Sequence, residues 1–312
     1  MSSTAAHSLP AASNRGPLRL CVALLVVTTI TILKGAMTTS TGSGLAYKTY
    51  PTSDGEWLPR SSYTTIPGFL EHFHRLFAMS AGLLALAIAL WLQVGRLGDA
   101  RARRTAWFGG CLILAQGLFG GFGVLLELPA FTSVTHATLA QLTLATFAWL
   151  TYQLSDRYVR TAPVAGVPPG SGRKLVLFAL AVLVLQTVFG ALARHTNSPQ
   201  AMWTHVGNAL VVFLVATIAT AFAIGRLEQV PGIKGLARWI VLLLIVQIGL
   251  GFVALVIRNP DGKRAENVEH LGTALTISAH VFVGALLTTL VSMLAAHVFR
   301  GTRRPLSARE LA

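Results

Sequence analysis

The sequence predicts an all-α membrane protein, with eight transmembrane helices forming two pseudo-symmetric four-helix bundles. Three observations carry this. Of 312 residues, 53% are hydrophobic and only 12% charged, more apolar surface than one soluble core can hide, so lipid must act as solvent. The apolar residues gather in runs of about 20, the length a helix needs to cross a bilayer. The last four runs also resemble the first four weakly, as in a duplicated membrane fold.

The predicted spans cover 18–37, 69–93, 105–125, 131–153, 174–194, 201–224, 236–257 and 272–299. The net charge of +14 does not point to nucleic acid, because the basic residues sit where the positive-inside rule puts them. Arg15 and Arg19 precede the first span; Arg96, Arg101, Arg103 and Arg104 fill the second connection; Arg157, Arg160, Arg173 and Lys174 the fourth; Arg226, Lys234 and Arg238 the sixth; Arg300, Arg303 and Arg304 the tail. The expected location is therefore a bacterial cytoplasmic (inner) membrane, crossed several times, with both termini cytoplasmic. Lys48, Arg60, Arg258, Lys263 and Arg264 run against the pattern. The first apolar run lacks a small-residue cleavage site and reads as a retained span. Cys21 and Cys111 fall within predicted spans and read as packing residues.

The repeat lays Lys34-Gly35-Ala36-Met37-Thr38-Thr39, at the end of the first span, on Phe189-Gly190-Ala191-Leu192-Ala193-Arg194, at the end of the fifth. Gln116-Gly117-Leu118-Phe119-Gly120 likewise matches Gln247-Ile248-Gly249-Leu250-Gly251. Such small residues let helices approach closely. The expected division is 1–160 for the amino-terminal bundle and 161–312 for the carboxy-terminal one.

Each even-numbered span carries a histidine that the repeat singles out: His74, His136, His205 and His280. The first three lie one to two turns past the outer helix ends, and His280 reaches that depth if the last span begins in the polar stretch 266–270. Two histidines facing each other across a four-helix bundle, with glycine and alanine leaving room for a flat macrocycle, are what axial ligation of a haem requires. Taken singly, an intramembrane histidine reads equally well as a packed, hydrogen-bonded residue; recurrence in both halves favours ligation. Zinc is the weaker rival, since no thiolate accompanies the histidines. His72 points away from the His74 face and reads as surface or pocket lining. His7 and His297 lie towards the cytoplasmic ends, and His195 and His270 in outer connections.

The halves differ at Glu71, three residues before His74 on the same helix face; its counterpart is Met202. A carboxylate in the outer membrane region needs a reason. Beside an axial histidine it can steer protons or stabilise positive charge on a substrate, while its structural alternative is a salt bridge to Arg75 or Arg60. Chemistry is therefore expected in the first half, and electron storage or transfer in the second.

The stretch Gly35-Ala36-Met37-Thr38-Thr39-Ser40-Thr41-Gly42-Ser43-Gly44-Leu45, the pattern of Glu71, His74 and Arg75, and the segment from Leu128 through His136 to Gln141 together resemble the haem A synthase family. That resemblance runs through all eight spans. It implies oxidation of the C8 methyl of haem O to a formyl group through an alcohol, making haem A for cytochrome oxidase. It further implies that His74 and His136 address the substrate haem and that His205 and His280 ligate a resident haem b. Glu71, His74 and His136 are the candidate catalytic residues, with Arg75 and Arg194 as candidate haem-binding residues beside His205 and His280. The partners so implied are haem O, membrane lipid, a haem O synthase (protohaem farnesyltransferase) and cytochrome oxidase assembly factors; a homo-oligomer stays open. Many relatives carry a cysteine pair in the first outer loop, whereas the loop from Thr38 to Gly68 has none, so other contacts must hold it or its role is absent. The bis-histidine pattern alone fits equally a di-haem b membrane cytochrome passing electrons between quinol and a partner.

Overall fold

The computed structural model describes residues 14–257 and 271–304. Among them are eight long helices: α1 (Arg15–Ser40), α3 (Ile66–Val94), α4 (Ala100–Leu125), α5 (Ala130–Gln153), α7 (Arg173–Thr196), α8 (Pro199–Leu227), α9 (Ile233–Ile257) and α10 (Leu271–Gly301). Two short helices, α2 (Ser61–Thr64) and α6 (Asp156–Arg160), lie in connections, with a 3-10 turn at Ser43–Leu45. Described and expected helix ends differ by a few residues. Arg258, Lys263, Arg264, the polar stretch 266–270 with His270, and His7 lie outside the described residues.

Seven of the long helices are long and apolar enough to cross a membrane, so the chain is a multi-pass membrane protein. The exception is α5, whose six threonines, two glutamines and one histidine dilute its hydropathy although it carries no charge. Its neighbours explain the tolerance. Because α5 packs against α1, α4, α7 and α10, much of its surface meets protein rather than lipid. Thr138, Thr146 and Thr151 return their hydroxyls to the carbonyl four residues back, which satisfies them without water.

Local chemistry fixes where several helices begin. Thr65 caps α3 by accepting from the Gly68 amide at 3.2 Å, with a proline in the first turn. Ser198 caps α8 by accepting from Ala201, again with proline in the first turn. Side-chain oxygens of this kind take up amides the helix itself leaves unbonded. Asp99 does the same for α4, accepting from Ala102 at 2.7 Å.

The closest packing joins α1 to α3, α4 to α5, α7 to α8 and α9 to α10. One buried apolar cluster, including Leu24, Ile88, Leu92 and Phe147, belongs to the first 160 residues. A second, including Leu183, Val215, Ile240 and Leu294, is built mainly from α7 to α10. Between them Ile32, Leu144 and Ala285 form a small seam where α1, α5 and α10 meet. Outward faces are apolar: Leu83, Leu114, Leu210 and Val256 are exposed, as expected of residues that meet lipid tails. Both cysteines are free; Cys21 is buried as packing, whereas Cys111 lies on an exposed face.

Candidate functional site

The four histidines meet as two pairs. The rings of His74 on α3 and His136 on α5 stand 6.3 Å apart, nearly perpendicular at 77°. Those of His205 on α8 and His280 on α10 stand 6.1 Å apart at 83°. Two imidazoles sharing one metal ion, each nitrogen about 2 Å from it, have ring centres about 6 Å apart. Two donors fall short of a zinc site but suffice for a porphyrin, whose own four nitrogens complete the iron's coordination.

Each ring sits against a glycine of the preceding long helix. A Cβ on Gly35 would stand 2.7 Å from His74 Cε1, and one on Gly190 would stand 2.7 Å from His205 Cε1. At Gly120 and His136 the corresponding distance is 3.0 Å, and at Gly251 and His280 it is 3.1 Å. In three of the four, Nδ1 also reaches the carbonyl four residues before that glycine: His74 to Thr31 at 3.0 Å, His136 to Gln116 at 3.0 Å and His205 to Gln186 at 3.1 Å. A carbonyl only accepts, so Nδ1 carries the proton and Nε2 keeps the lone pair, the tautomer a metal ligand needs. His280 faces the Gln247 carbonyl in the same manner but outside hydrogen-bond geometry.

Two glutamines recur beside these rings. Gln116 Nε2 lies 3.4 Å from His136 Nε2, and Gln247 Nε2 lies 3.4 Å from His280 Nε2. The repeat had aligned them; their contact with the rings had no sequence signal beyond that match. Gln186 is held differently, donating to the His205 carbonyl at 3.0 Å and accepting from Asn208 at 2.8 Å.

Above the first pair, Glu71 and Arg75 form a buried ion pair one helical turn apart. Glu71 Oε2 also accepts from the Tyr47 amide at 3.1 Å. Arg75 donates to the carbonyls of Thr49 at 2.7 Å, Thr52 at 2.9 Å and Tyr47 at 3.2 Å. His72 departs from its expected surface or pocket-lining place: it is buried, with Nδ1 3.0 Å from Ser53 Oγ and its ring edge-on to Tyr47. The reason is the outer loop, which folds down over this face of α3. The loop without cysteines is thus fastened by Glu71, His72 and Arg75.

Arg194, near the end of α7, reaches across to α1, donating to the Ala36 carbonyl at 2.8 Å and Ser40 Oγ at 2.6 Å. Ser40 in turn lies 3.3 Å from Ser278 Oγ on α10. The two arginines expected at haem are therefore engaged with protein groups, Arg75 with the loop and Arg194 with α1. His195 lines a small cavity of about 50 Å³ with Thr39, Gly42, Leu128 and Ser133.

The model of the cytochrome oxidase assembly protein family, COX15-CtaA, matches residues 62–207, which contain Glu71, His74, His136 and His205. The chain is similar to the haem A synthase of Geobacillus kaustophilus, 23% identical over 89% of this chain and 90% of that protein. It is also similar to the haem A synthase of Symbiobacterium thermophilum, 28% identical over 62% of this chain and 65% of that one. For the haem A synthase of Methylobacterium sp. (strain 4-46) the figures are 34% identity over 41% and 38%. Paired histidines on membrane helices, a family match that spans three of the four and alignment along nearly the whole chain lead to one finding: the chain is similar to haem A synthases.

Proposed function

We propose that this protein is a haem A synthase, an oxidoreductase that converts the C8 methyl of haem O to a formyl group through an alcohol and so supplies haem A to cytochrome oxidase. The observation that carries this is the pair of histidine pairs at 6.3 and 6.1 Å, each ring backed by a glycine, in a chain similar to haem A synthases. The reading assigns eight spans in two four-helix bundles, residues 1–160 and 161–312, with α5 as the eighth span and both termini cytoplasmic.

The substrate haem O is taken by His74 and His136, and His205 and His280 hold a resident haem b. That haem supplies one-electron redox chemistry when bound. The residues of this chain supply position and charge. Carbonyls of Thr31, Gln116 and Gln186 keep three of the imidazoles in the ligating tautomer. Glu71, one turn nearer the outer end than His74, presents the carboxylate that takes up a proton or stabilises developing positive charge at the methyl. Arg75 pairs with that carboxylate and keeps it in place, and neither function uses a cysteine.

Extracting the pigments of the purified protein tests the reading. Haem O or haem A alongside haem b supports synthesis; haem b alone, at two per chain, makes the protein a di-haem electron carrier instead.

A further inference from the structure

We propose that the basic end of the helix bundle, away from both histidine pairs, carries a binding site for the headgroup of an anionic, hydroxyl-bearing phospholipid. The site is a cavity of about 330 Å³ where α1, α5, α6 and α10 converge. Its polar wall holds Ser155, Arg157, Arg160 and His297, and its apolar wall Leu18 and Met293. Seventeen residues separate His297 from His280 on one helix, about 26 Å along its axis, so this cavity is separate from the paired histidines.

Three observations define what fits. The first is unspent positive charge: among the described residues neither Arg157 nor Arg160 takes part in an ion pair. The Arg157 guanidinium rests over Gly232 in the turn between α8 and α9, where a Cβ would stand 2.7 Å from Nη1. A missing side chain there gives that guanidinium its place. Two guanidinium groups beside a membrane surface suit a phosphodiester.

The second is a buried acceptor. His297 is only 3% exposed, its ring stacked on Tyr152 at 3.7 Å. Nδ1 donates to the Met293 carbonyl at 2.7 Å, and Nε2, which therefore carries the lone pair, has no hydrogen-bond partner among the described residues. An acceptor of this kind is matched by a hydroxyl, not by a phosphate oxygen. The carboxylate of Asp156, also on the wall, likewise repels a bare anion and accepts from a hydroxyl.

The third is position. His297 lies one turn from the end of α10 and Thr151 two residues from the end of α5, the level at which headgroups meet acyl chains, and Leu18 and Met293 give the lipid's glycerol end an apolar wall. Basic pockets between helices at this level are known headgroup sites in membrane proteins. Phosphatidylglycerol offers both halves of the match, a phosphodiester for the arginines and glycerol hydroxyls for His297.

The test is native mass spectrometry of the haem-loaded full chain in detergent, offered phosphatidylglycerol, phosphatidylcholine or inorganic phosphate. One phosphatidylglycerol is expected to stay bound, with about tenfold preference over phosphatidylcholine, and millimolar inorganic phosphate will not displace it. The double variant Arg157→Gln, Arg160→Gln is expected to lose that preference while keeping its haem spectrum. His297→Leu will keep charge selectivity but no longer distinguish phosphatidylglycerol from phosphatidic acid, which lacks the headgroup hydroxyls. Equal retention of the zwitterionic and anionic lipids, full competition by inorganic phosphate, or undiminished preference in the double variant would overturn the proposal. Should the double variant lose its haem, Arg160→Gln alone and the lipid comparison on the unmodified protein decide the matter.

Discussion

Gly35 and His74 touch so closely that the glycine's missing side chain is where the imidazole lies: a Cβ there would stand 2.7 Å from Cε1. Gly190 stands in the same relation to His205. Overpacking at such a point costs about 1–3 kcal/mol, enough to weaken haem binding about five- to 150-fold. Gly35→Ala is expected to deplete the amino-terminal site and Gly190→Ala the carboxy-terminal one. Gly249→Ala, with nothing within 4 Å of its added carbon, will leave both intact. Haem content per chain, read by pyridine haemochrome spectra, checks all three, and a haem loss in Gly249→Ala equal to the others would remove the steric account.

Replacing His205 or His280 removes half of one facing pair. Each alanine variant is expected to lose the resident haem and, with it, the stabilisation a bound ligand lends the folded state. A full haem complement in both variants would refute their part as ligands.

Glu71→Gln keeps the size of the side chain and removes its charge. Haem A output is expected to fall by about 10²-fold or more, the usual worth of a positioned acid or base, with the haem b spectrum retained. Unchanged output would take Glu71 out of the chemistry and leave it only its place in the loop.

Arg75 bears on the same loop from the opposite sign of charge. Arg75→Met leaves the buried Glu71 carboxylate unpaired and frees the carbonyls of Tyr47, Thr49 and Thr52. Breaking a buried pair this way costs about 3–5 kcal/mol. Limited proteolysis within residues 46–58 should accelerate strongly in the variant. Cleavage as slow as in the parent protein would show that the loop is held by other contacts.

Much of this architecture is legible from the residues because duplication writes it twice. A lone His74 is ambiguous, but His74 matched to His205, each facing a partner on another helix, is a pattern that packing alone rarely repeats. The glycines were visible as small residues at matching depth; which of them back a ring was not, since Gly117 and Gly249 carry the same letter and touch no histidine. The grip of Arg75 on three backbone carbonyls had no signal at all, because carbonyls are present at every position and only the loop's path selects them. Arg194 was read as a haem-binding candidate at a helix end; its engagement with α1 had no signal, because it depends on how α7 packs across the molecule. α5 was readable as a long helix, but its composition falls below that of the seven helices apolar enough to cross a membrane.

That composition has a consequence for how the chain is made. A segment as rich in threonine and glutamine as α5 gains little by leaving the translocation channel alone, and α10, one of the helices that shield it, is synthesised more than a hundred residues later. Until then α5 has only α1, α4 and, once made, α7 to cover it, so a ribosome stalled between α6 and α10 exposes a half-built protein to quality-control proteases.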